Sequence, residues 1–262
     1  MSAWKQIGTA RTADGDELIL RESCGTFELR MNGHELMATR AHGSEEAMAR
    51  LACRRLRDRG DARVLIGGLG MGYTLRAALD VLRASAQVLV VELVPEVVVW
   101  NRAELGAVAG FPLLDRRVVV QVGDVSDVLH EAKVPFDAIL LDIDNGPQAP
   151  VRVGNAALFA PAGLQLIRQA LRGGGMLAVW SADPCAAFMQ SMRDAGYRAR
   201  SVEVRARGRE GDPMHTIFLG VSVADCVRPT PQPAASPLPR RATIPRCRGT
   251  PRRPSVGQGH HW

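Results

Sequence analysis

The 262-residue sequence lacks the features that mark several specialised classes of protein. It has no apolar run of about 18 residues, the length that a membrane-spanning helix requires, and its first residues lack the charged-then-apolar layout of a signal peptide. Its five cysteines are scattered, and none forms a CxxC pair. We therefore expect a cytoplasmic protein with no membrane association, no disulfide framework and no zinc site.

Common catalytic motifs are absent as well. The sequence contains no Ser-His-Asp arrangement and no phosphate-binding GxxxxGK motif. The histidines at positions 34, 42, 130 and 215 are dispersed and show no metal-ligand spacing. We therefore expect no bound metal.

Acidic residues are missing from residues 227–262, which hold seven arginines and eight of the 16 prolines. The remaining 226 residues carry 26 basic and 27 acidic groups, a net charge of −1 (26 − 27). The segment 227–262 cannot bury enough apolar surface to offset its ordering entropy, which predicts a disordered tail over 225–262. No aromatic residue is interleaved with its arginines before Trp262. We therefore expect no nucleic-acid partner, with a tether to a nucleic acid or an acidic surface as the alternative.

Residues 17–39 contain three short runs of strand character, ELILRES, TFELRM and HELMAT. Asn32-Gly33 joins the last two and is the strongest local signal of a β-hairpin. We predict a small β-hairpin unit over residues 1–43. Ser44 is then predicted to cap a helix with Glu45 and Glu46 in its first turn.

From residue 63 on, apolar runs alternate with amphipathic segments, the pattern of a parallel sheet covered on both faces. The predicted strands are RVLIG, QVLVVE, RVVVQVG, FDAILLD, MLAVWS, RARSVEVR and HTIFLGVS. Helices are predicted at 72–84, 95–105, 125–132, 162–172 and 184–195, the fourth ended by the glycines at 173–175. The short link between the last two strands suits an antiparallel pair. We predict an α/β, Rossmann-like, seven-stranded sheet of the methyltransferase type over 44–224, with the last strand antiparallel.

The carboxyl ends of these strands carry glycines and carboxylates, at the edge where open α/β sheets bind ligands. Gly68, Gly70 and Gly72 form a turn at which the backbone can come close to a nucleotide. Glu92 ends the next strand, where a carboxylate can hold ribose hydroxyls. Asp124 follows the third strand and suits an adenine amino group, or the N-cap of the helix that begins at Val125.

Asp142 ends the fourth strand, behind the apolar run AILL. A carboxylate at the edge of such a strand can have a raised pKa and accept a proton from an incoming nucleophile. Alternatively, it satisfies backbone N–H groups of the turn. The segment 143–160 is rich in Gly, Pro and Ala and is predicted to fold over the site.

A set of motifs between Met31 and Gly220 resembles one known family. It comprises the NG hairpin followed by a helix, VLIGGLGMG, VVELVPEVV, DRRVVVQVGD, FDAILLD and ALFAPAGLQLIRQALRGGGMLAV. This combination resembles the spermidine synthases, the polyamine aminopropyltransferases. The resemblance implies a homodimer that transfers aminopropyl from decarboxylated S-adenosylmethionine to an amine in polyamine biosynthesis. By it, Glu92 would hold the ribose, Asp124 the adenine, and Asp142 would accept the proton.

The chain departs from the family at positions close to the reaction. Gly70 stands where the family's GGGDGG motif has an aspartate, Leu36 replaces a Gln, and Glu45-Glu46 replace a Tyr-His pair. The family's DSSDP is DIDNG here, so that its second aspartate falls on Asn145, beside Asp144. Asp144, Asn145, Glu45 and Glu46 are the candidate residues for binding the acceptor.

Three functions are consistent with these residues. The first is an aminopropyltransferase of altered amine specificity. The second is a methyltransferase that uses S-adenosylmethionine, because the loss of a carboxylate at Gly70 removes a repulsion toward the carboxylate of that cofactor. The third is a catalytically silent nucleoside-binding homologue.

Overall fold

A computed structural model describes residues 3–143, 146–147, 153–207 and 211–223. The predicted tail over 225–262, together with Asp144 and Asn145, lies outside the described residues. None of the helices in the described part of the chain is long and apolar enough to cross a membrane.

The N-terminal unit is a four-stranded antiparallel sheet, larger than the predicted hairpin. Its strands, in spatial order, are β1 (Lys5–Arg11), β2 (Glu17–Ser23), β3 (Thr26–Met31) and β4 (His34–Ala38). The Asn32-Gly33 hairpin is confirmed, since both residues have positive φ, 50° and 81°, as a type I′ turn requires. The sequence analysis missed β1 because KQIGTAR shows no apolar alternation and only Ala10 of this strand is buried.

The predicted seven-stranded sheet is confirmed, including its reversed last strand. Its strands are β5 (Arg63–Gly67), β6 (Gln87–Glu92), β7 (Val118–Val122), β8 (Phe136–Leu141), β9 (Leu171–Ser181), β10 (Tyr197–Arg205) and β11 (Met214–Ser222). Their spatial order is β10-β11-β9-β8-β5-β6-β7, and β11 is antiparallel to both of its neighbours. The carboxyl ends of β5, β6, β7 and β8 therefore meet at one edge.

Seven α-helices accompany the strands in the described part of the chain. They are α1 (Gly43–Cys53), α2 (Tyr73–Val81), α3 (Pro95–Arg102), α4 (Val125–Glu131), α5 (Val153–Phe159), α6 (Pro161–Ala170) and α7 (Ala186–Asp194). Helix α5 was not predicted and lies within the segment 143–160. Ser44 does not cap α1 as predicted: His42 occupies the N-cap position, and Ser44 lies within the first turn.

The glycines at 173–175 were wrongly assigned to the end of a helix. Helix α6 ends at Ala170, and the glycines lie within β9. Along the β8–β9 ladder, Phe136 pairs with Leu171, whereas Ala138 pairs with Met176, so residues 172–175 bulge from the ladder. Gly174 has a φ of 79°, which glycine adopts without strain.

The core lies on both faces of the large sheet. Val64 and Ile66 face one cluster, which includes Leu20 of the N-terminal sheet and Met48 of α1. Leu65 faces the other cluster, which α6 and α7 cover. Burial on both faces explains why β5 and β8 are almost continuously apolar in sequence.

Candidate functional site

The glycine turn connects β5 to α2 through three glycines of positive φ. Gly68, Gly70 and Gly72 have φ values of 86°, 52° and 86°. A Cβ atom at Gly68 would lie 2.3 Å from the carbonyl oxygen of Asp142, so the turn packs directly against the end of β8. Only glycine meets both requirements at this position.

Glu92 joins the glycine turn to the end of β6. Its Oε2 accepts a hydrogen bond from the backbone N–H of Leu69 at 2.8 Å, and its Oε1 accepts one from Val94 at 2.9 Å. The side chain is 8% exposed, and burial raises its pKa against the lowering effect of the backbone donors. The backbone N–H groups of Gly70 and Leu93 also act on this carboxylate, so Glu92 lies within a ring of backbone donors at the cavity.

Asp124 follows β7 and serves as the N-cap of α4. Its Oδ1 accepts a hydrogen bond from the backbone N–H of Ser126 at 2.8 Å. The same residue lines a cavity together with Gly68, Gly70 and Glu92. The capping role and a place beside a ligand, the two interpretations of this residue, are therefore compatible.

Asp142 closes the same cavity at the end of β8. The Thr74 hydroxyl in the first turn of α2 donates a hydrogen bond to its Oδ2 at 2.6 Å. Burial raises the pKa of Asp142 to about 6 although this donor lowers it. Sequence reasoning missed Thr74, since only the packing of α2 against the end of β8 reveals this partner.

Glu45 reaches the same cavity from the first turn of α1 and is 6% exposed. Burial and the neighbouring charge of Asp142 raise its pKa to about 7, against the hydrogen bond from Ser44. An ionised Asp142 therefore makes it harder to ionise Glu45. Glu45 and Asp142 thus form the acidic part of the cavity lining, together with Glu92 and Asp124 at the other strand ends.

The opposite wall of the cavity is apolar and comes from the N-terminal sheet. It includes Leu18, Leu29, Met31, Leu36 and Met37. A Cβ atom at Gly70 would lie 2.9 Å from the Cε and 3.0 Å from the Sδ of Met37. Met37 therefore fills the space that any side chain at position 70 would occupy, and no sequence signal points to this contact.

Not every candidate residue reaches the cavity. Glu46 lines a separate cavity, where its carboxylate pairs with His42 at 2.8 Å and Arg50 at 2.6 Å. Gly72 is the N-cap of α2 and is not part of the cavity lining. Among the described residues, no group of three or more His, Cys, Asp and Glu side chains is placed to hold a metal ion.

Replacing Glu45 is expected to weaken the dependence of stability on pH. The pKa of Glu45 rises from 4.5 to about 7 on folding, so between these values the folded protein binds more protons than the unfolded chain. The free energy of unfolding therefore falls as pH rises through this window. Glu45→Gln removes a penalty on the order of 2 kcal/mol above pH ~8.

Calorimetric melting at pH 5 and pH 8 measures this effect. The variant should melt well above the wild type at pH 8 and close to it at pH 5, while the exposed control Glu131→Gln should change neither value. A difference of equal size at both pH values would show that Glu45 acts through packing and not through its charge.

The fold resembles those of solved spermidine synthases. A spermidine synthase in complex with the transition state analogue AdoDATO and the spermidine synthase from Thermotoga maritima each match with a TM-score of 0.66 and 16% identity, over 84% of this chain and 73% of theirs. A probable spermidine synthase from Corynebacterium glutamicum ATCC 13032 matches with a TM-score of 0.60 and 17% identity, over 82% of this chain and 79% of its own. Protein-family models and curated proteins give no match. The comparison confirms the predicted spermidine synthase-like fold.

Proposed function

We propose that this protein transfers an aminopropyl group from decarboxylated S-adenosylmethionine to an amine, with Asp142 as the proton acceptor. The observation that carries the proposal is that Asp142 and Glu45 share one cavity with Glu92 and Asp124. The residues that would bind the nucleoside, Glu92 and Asp124, and those that would bind the amine therefore line the same cavity.

The nucleoside would lie along the glycine turn. Glu92 offers acceptors for the two ribose hydroxyls, and Asp124 offers one for the amino group of adenine. Gly68 and Gly70 carry no side chain, so the backbone there can approach the ligand closely. These groups orient the sulfonium toward Asp142.

The chemical step is a displacement at carbon. The amine nitrogen attacks the carbon bound to the sulfonium, the carbon–sulfur bond breaks, and its electron pair passes to sulfur. The incoming ammonium must lose a proton to become a nucleophile, and Asp142 accepts it. Thr74 holds the carboxylate in place through its hydrogen bond, and Glu45 attracts the ammonium.

The apolar wall bears on the choice of amine. Leu18, Leu29 and Leu36 suit a methylene chain and supply no partner for a second ammonium group. The acceptor that the described residues fit best therefore has one amine beside Asp142 and an apolar portion along the N-terminal sheet.

A methyltransferase is the second candidate, and the contact between Gly70 and Met37 favours it. Position 70 is a glycine and carries no carboxylate, so nothing there repels the carboxylate of full S-adenosylmethionine. The two reactions leave different products, since aminopropyl transfer releases methylthioadenosine and methyl transfer releases S-adenosylhomocysteine.

Calorimetric titration with decarboxylated S-adenosylmethionine, S-adenosylmethionine and methylthioadenosine tests the proposal. We expect tighter binding of the decarboxylated form and release of methylthioadenosine, detected by mass spectrometry, when amines are added. Tight binding of the full cofactor alone would support the methyltransferase. Binding without turnover of any amine would support the silent homologue, and no binding at millimolar concentration would remove the nucleoside assignment.

Three further expectations stay predictions. These are the homodimer, the cytoplasmic location and a place in polyamine biosynthesis. The domain boundaries at 1–43, 44–224 and 225–262 are likewise proposals.

A further inference from the structure

A buried serine connects the cavity to a histidine on the last strand. Ser44 lies in the first turn of α1 and is 0% exposed. Its hydroxyl contacts Glu45 Oε2 at 2.5 Å, His215 Nδ1 at 2.9 Å and Trp180 Nε1 at 3.0 Å. Residues from α1, β9 and β11 thus meet at one hydroxyl group.

The chemistry of these partners limits how hydrogens can be arranged. The indole N–H of Trp180 can only donate, so Ser44 accepts from it. An ionised Glu45 can only accept, so the single hydroxyl hydrogen of Ser44 points to Glu45. The remaining lone pair of Ser44 then faces His215, whose Nδ1 must carry the hydrogen.

Protonation of Glu45 reverses this arrangement. The Glu45 carboxyl group now donates to Ser44, which still accepts from Trp180. The hydroxyl hydrogen of Ser44 then points to Nδ1 of His215, which must be unprotonated. Each contact is kept in both states, so the two states differ only in where the hydrogens lie.

The two ends of this chain of contacts have different surroundings. Glu45 lines the cavity with Asp142, whereas His215 is half-buried on β11 and partly reaches solvent. Trp180 covers the histidine ring, with ring centroids 4.8 Å apart. The contacts therefore lead from the cavity toward the surface.

The charged groups around the chain favour outward transfer. The charges of Asp142 and Glu46 both raise the pKa of Glu45, and burial together with both glutamates raises the pKa of Tyr73 to about 12, so Tyr73 stays neutral. Burial lowers the pKa of His215, while the exposed Asp183 opposes this effect. Burial therefore makes His215 release an added proton more readily than an exposed histidine does.

We propose that Glu45, Ser44 and His215 form a proton relay that carries the proton accepted at Asp142 out of the cavity to solvent. The relay rests on the proposed function, because aminopropyl transfer to an ammonium releases one proton per turnover. Asp142 passes that proton to Glu45, and His215 exchanges its Nδ1 hydrogen for one on Nε2. Glu45 then gives its proton to Ser44, Ser44 gives its own hydrogen to Nδ1 of His215, and Nε2 releases one to water, which restores the starting arrangement. Ser44 and His215 act through Glu45 and do not touch the reacting atoms.

Nitrogen NMR of histidine-labelled protein tests the relay without requiring turnover. We expect His215 to carry its hydrogen on Nδ1 at pH ~8.5 and to shift toward the Nε2 form near pH ~6.5, as Glu45 takes up a proton. Glu45→Gln and Ser44→Ala should abolish this change of tautomer. A His215 that keeps one tautomer in the wild type, or that changes equally in Ser44→Ala, would overturn the relay.

Kinetics supply the second test. His215→Ala should lower kcat by roughly 100-fold with little change in KM for the amine, and imidazole in the buffer should restore part of the loss. The exposed control His130→Ala should behave as the wild type. Unchanged kcat and an unchanged pH profile in His215→Ala would overturn the relay while leaving aminopropyl transfer intact. If the wild type turns over no amine, the proposed function fails, and the NMR result still decides whether the relay exists.

Discussion

Asp142→Asn is expected to lower turnover by about a thousandfold while nucleoside binding changes little. A carboxamide cannot accept a proton from the incoming amine. It keeps the shape of the carboxylate and still accepts the hydrogen bond that Thr74 donates at 2.6 Å. The loss should therefore appear in kcat, measured as the release of methylthioadenosine, and not in the dissociation constant from calorimetry.

The stability of the same variant separates the two interpretations of Asp142. If Asp142 only accepts hydrogen bonds from backbone N–H groups of the turn, its replacement should lower the melting temperature and leave turnover intact. Because burial raises the pKa of Asp142 to about 6, loss of its charge should instead leave the melting temperature at pH 8 unchanged or higher. The matched control is Asp127→Asn, at an exposed position in the first turn of α4. Turnover within tenfold of the wild type would remove Asp142 from the role of proton acceptor.

Gly68→Ala is expected to be the most damaging single-methyl change in the glycine turn. The new Cβ would lie 2.3 Å from the backbone oxygen of Asp142, and the residue would keep a φ of 86°. Backbone strain of this kind costs about 1 to 3 kcal/mol, and the displaced strand end adds to it. We expect a loss of about 3 kcal/mol, or roughly 6 to 12 °C in melting temperature for a domain of this size.

Gly174→Ala provides the matched control. Gly174 has a similar φ of 79°, but nothing lies within 4 Å of its Cβ position. This variant should lose only about 1 kcal/mol, from the backbone conformation alone. Gly68→Ala should also weaken nucleoside binding, because any relief of the clash moves the end of β8. Equal melting temperatures for the two variants would show that β5 and β8 do not press together at Gly68.

The position of the site could be predicted because strand ends are readable in sequence. Parallel strands buried on both faces are continuous apolar runs, so RVLIG, QVLVVE and FDAILL mark their own boundaries. Glu92 ends one such run and Asp142 follows another, while Asp124 follows the partly exposed apolar run VVVQV of β7. Parallel strands end at the same edge of the sheet. The Asn32-Gly33 hairpin could be predicted because Asn-Gly favours a two-residue turn whatever the rest of the fold.

Strand β1 could not be predicted because it forms through pairing with β2 and not through a pattern in its own residues. KQIGTAR has no apolar alternation, and it becomes a strand by pairing with β2. Gly8 within it leaves room for the indole of Trp100, whose Nε1 would lie 2.5 Å from a Cβ atom at that position. The glycines at 173–175 misled the sequence prediction because a bulge and the end of a helix have the same composition.

The sequence by itself therefore determined the strands, the reversed last strand and the carboxylates at the strand ends. Each depends on a short stretch of chain: the apolar run of a strand, the short link before the last strand, or the residues at the end of a run. Only the tertiary structure decided what surrounds those carboxylates. Met37 fills the space beside Gly70, Thr74 holds Asp142, and Ser44 contacts His215 across 171 positions of the chain. Glu45 and Glu46 are neighbours in sequence, yet the turn of α1 sends one into the cavity and the other to His42 and Arg50, since adjacent helical residues point in different directions.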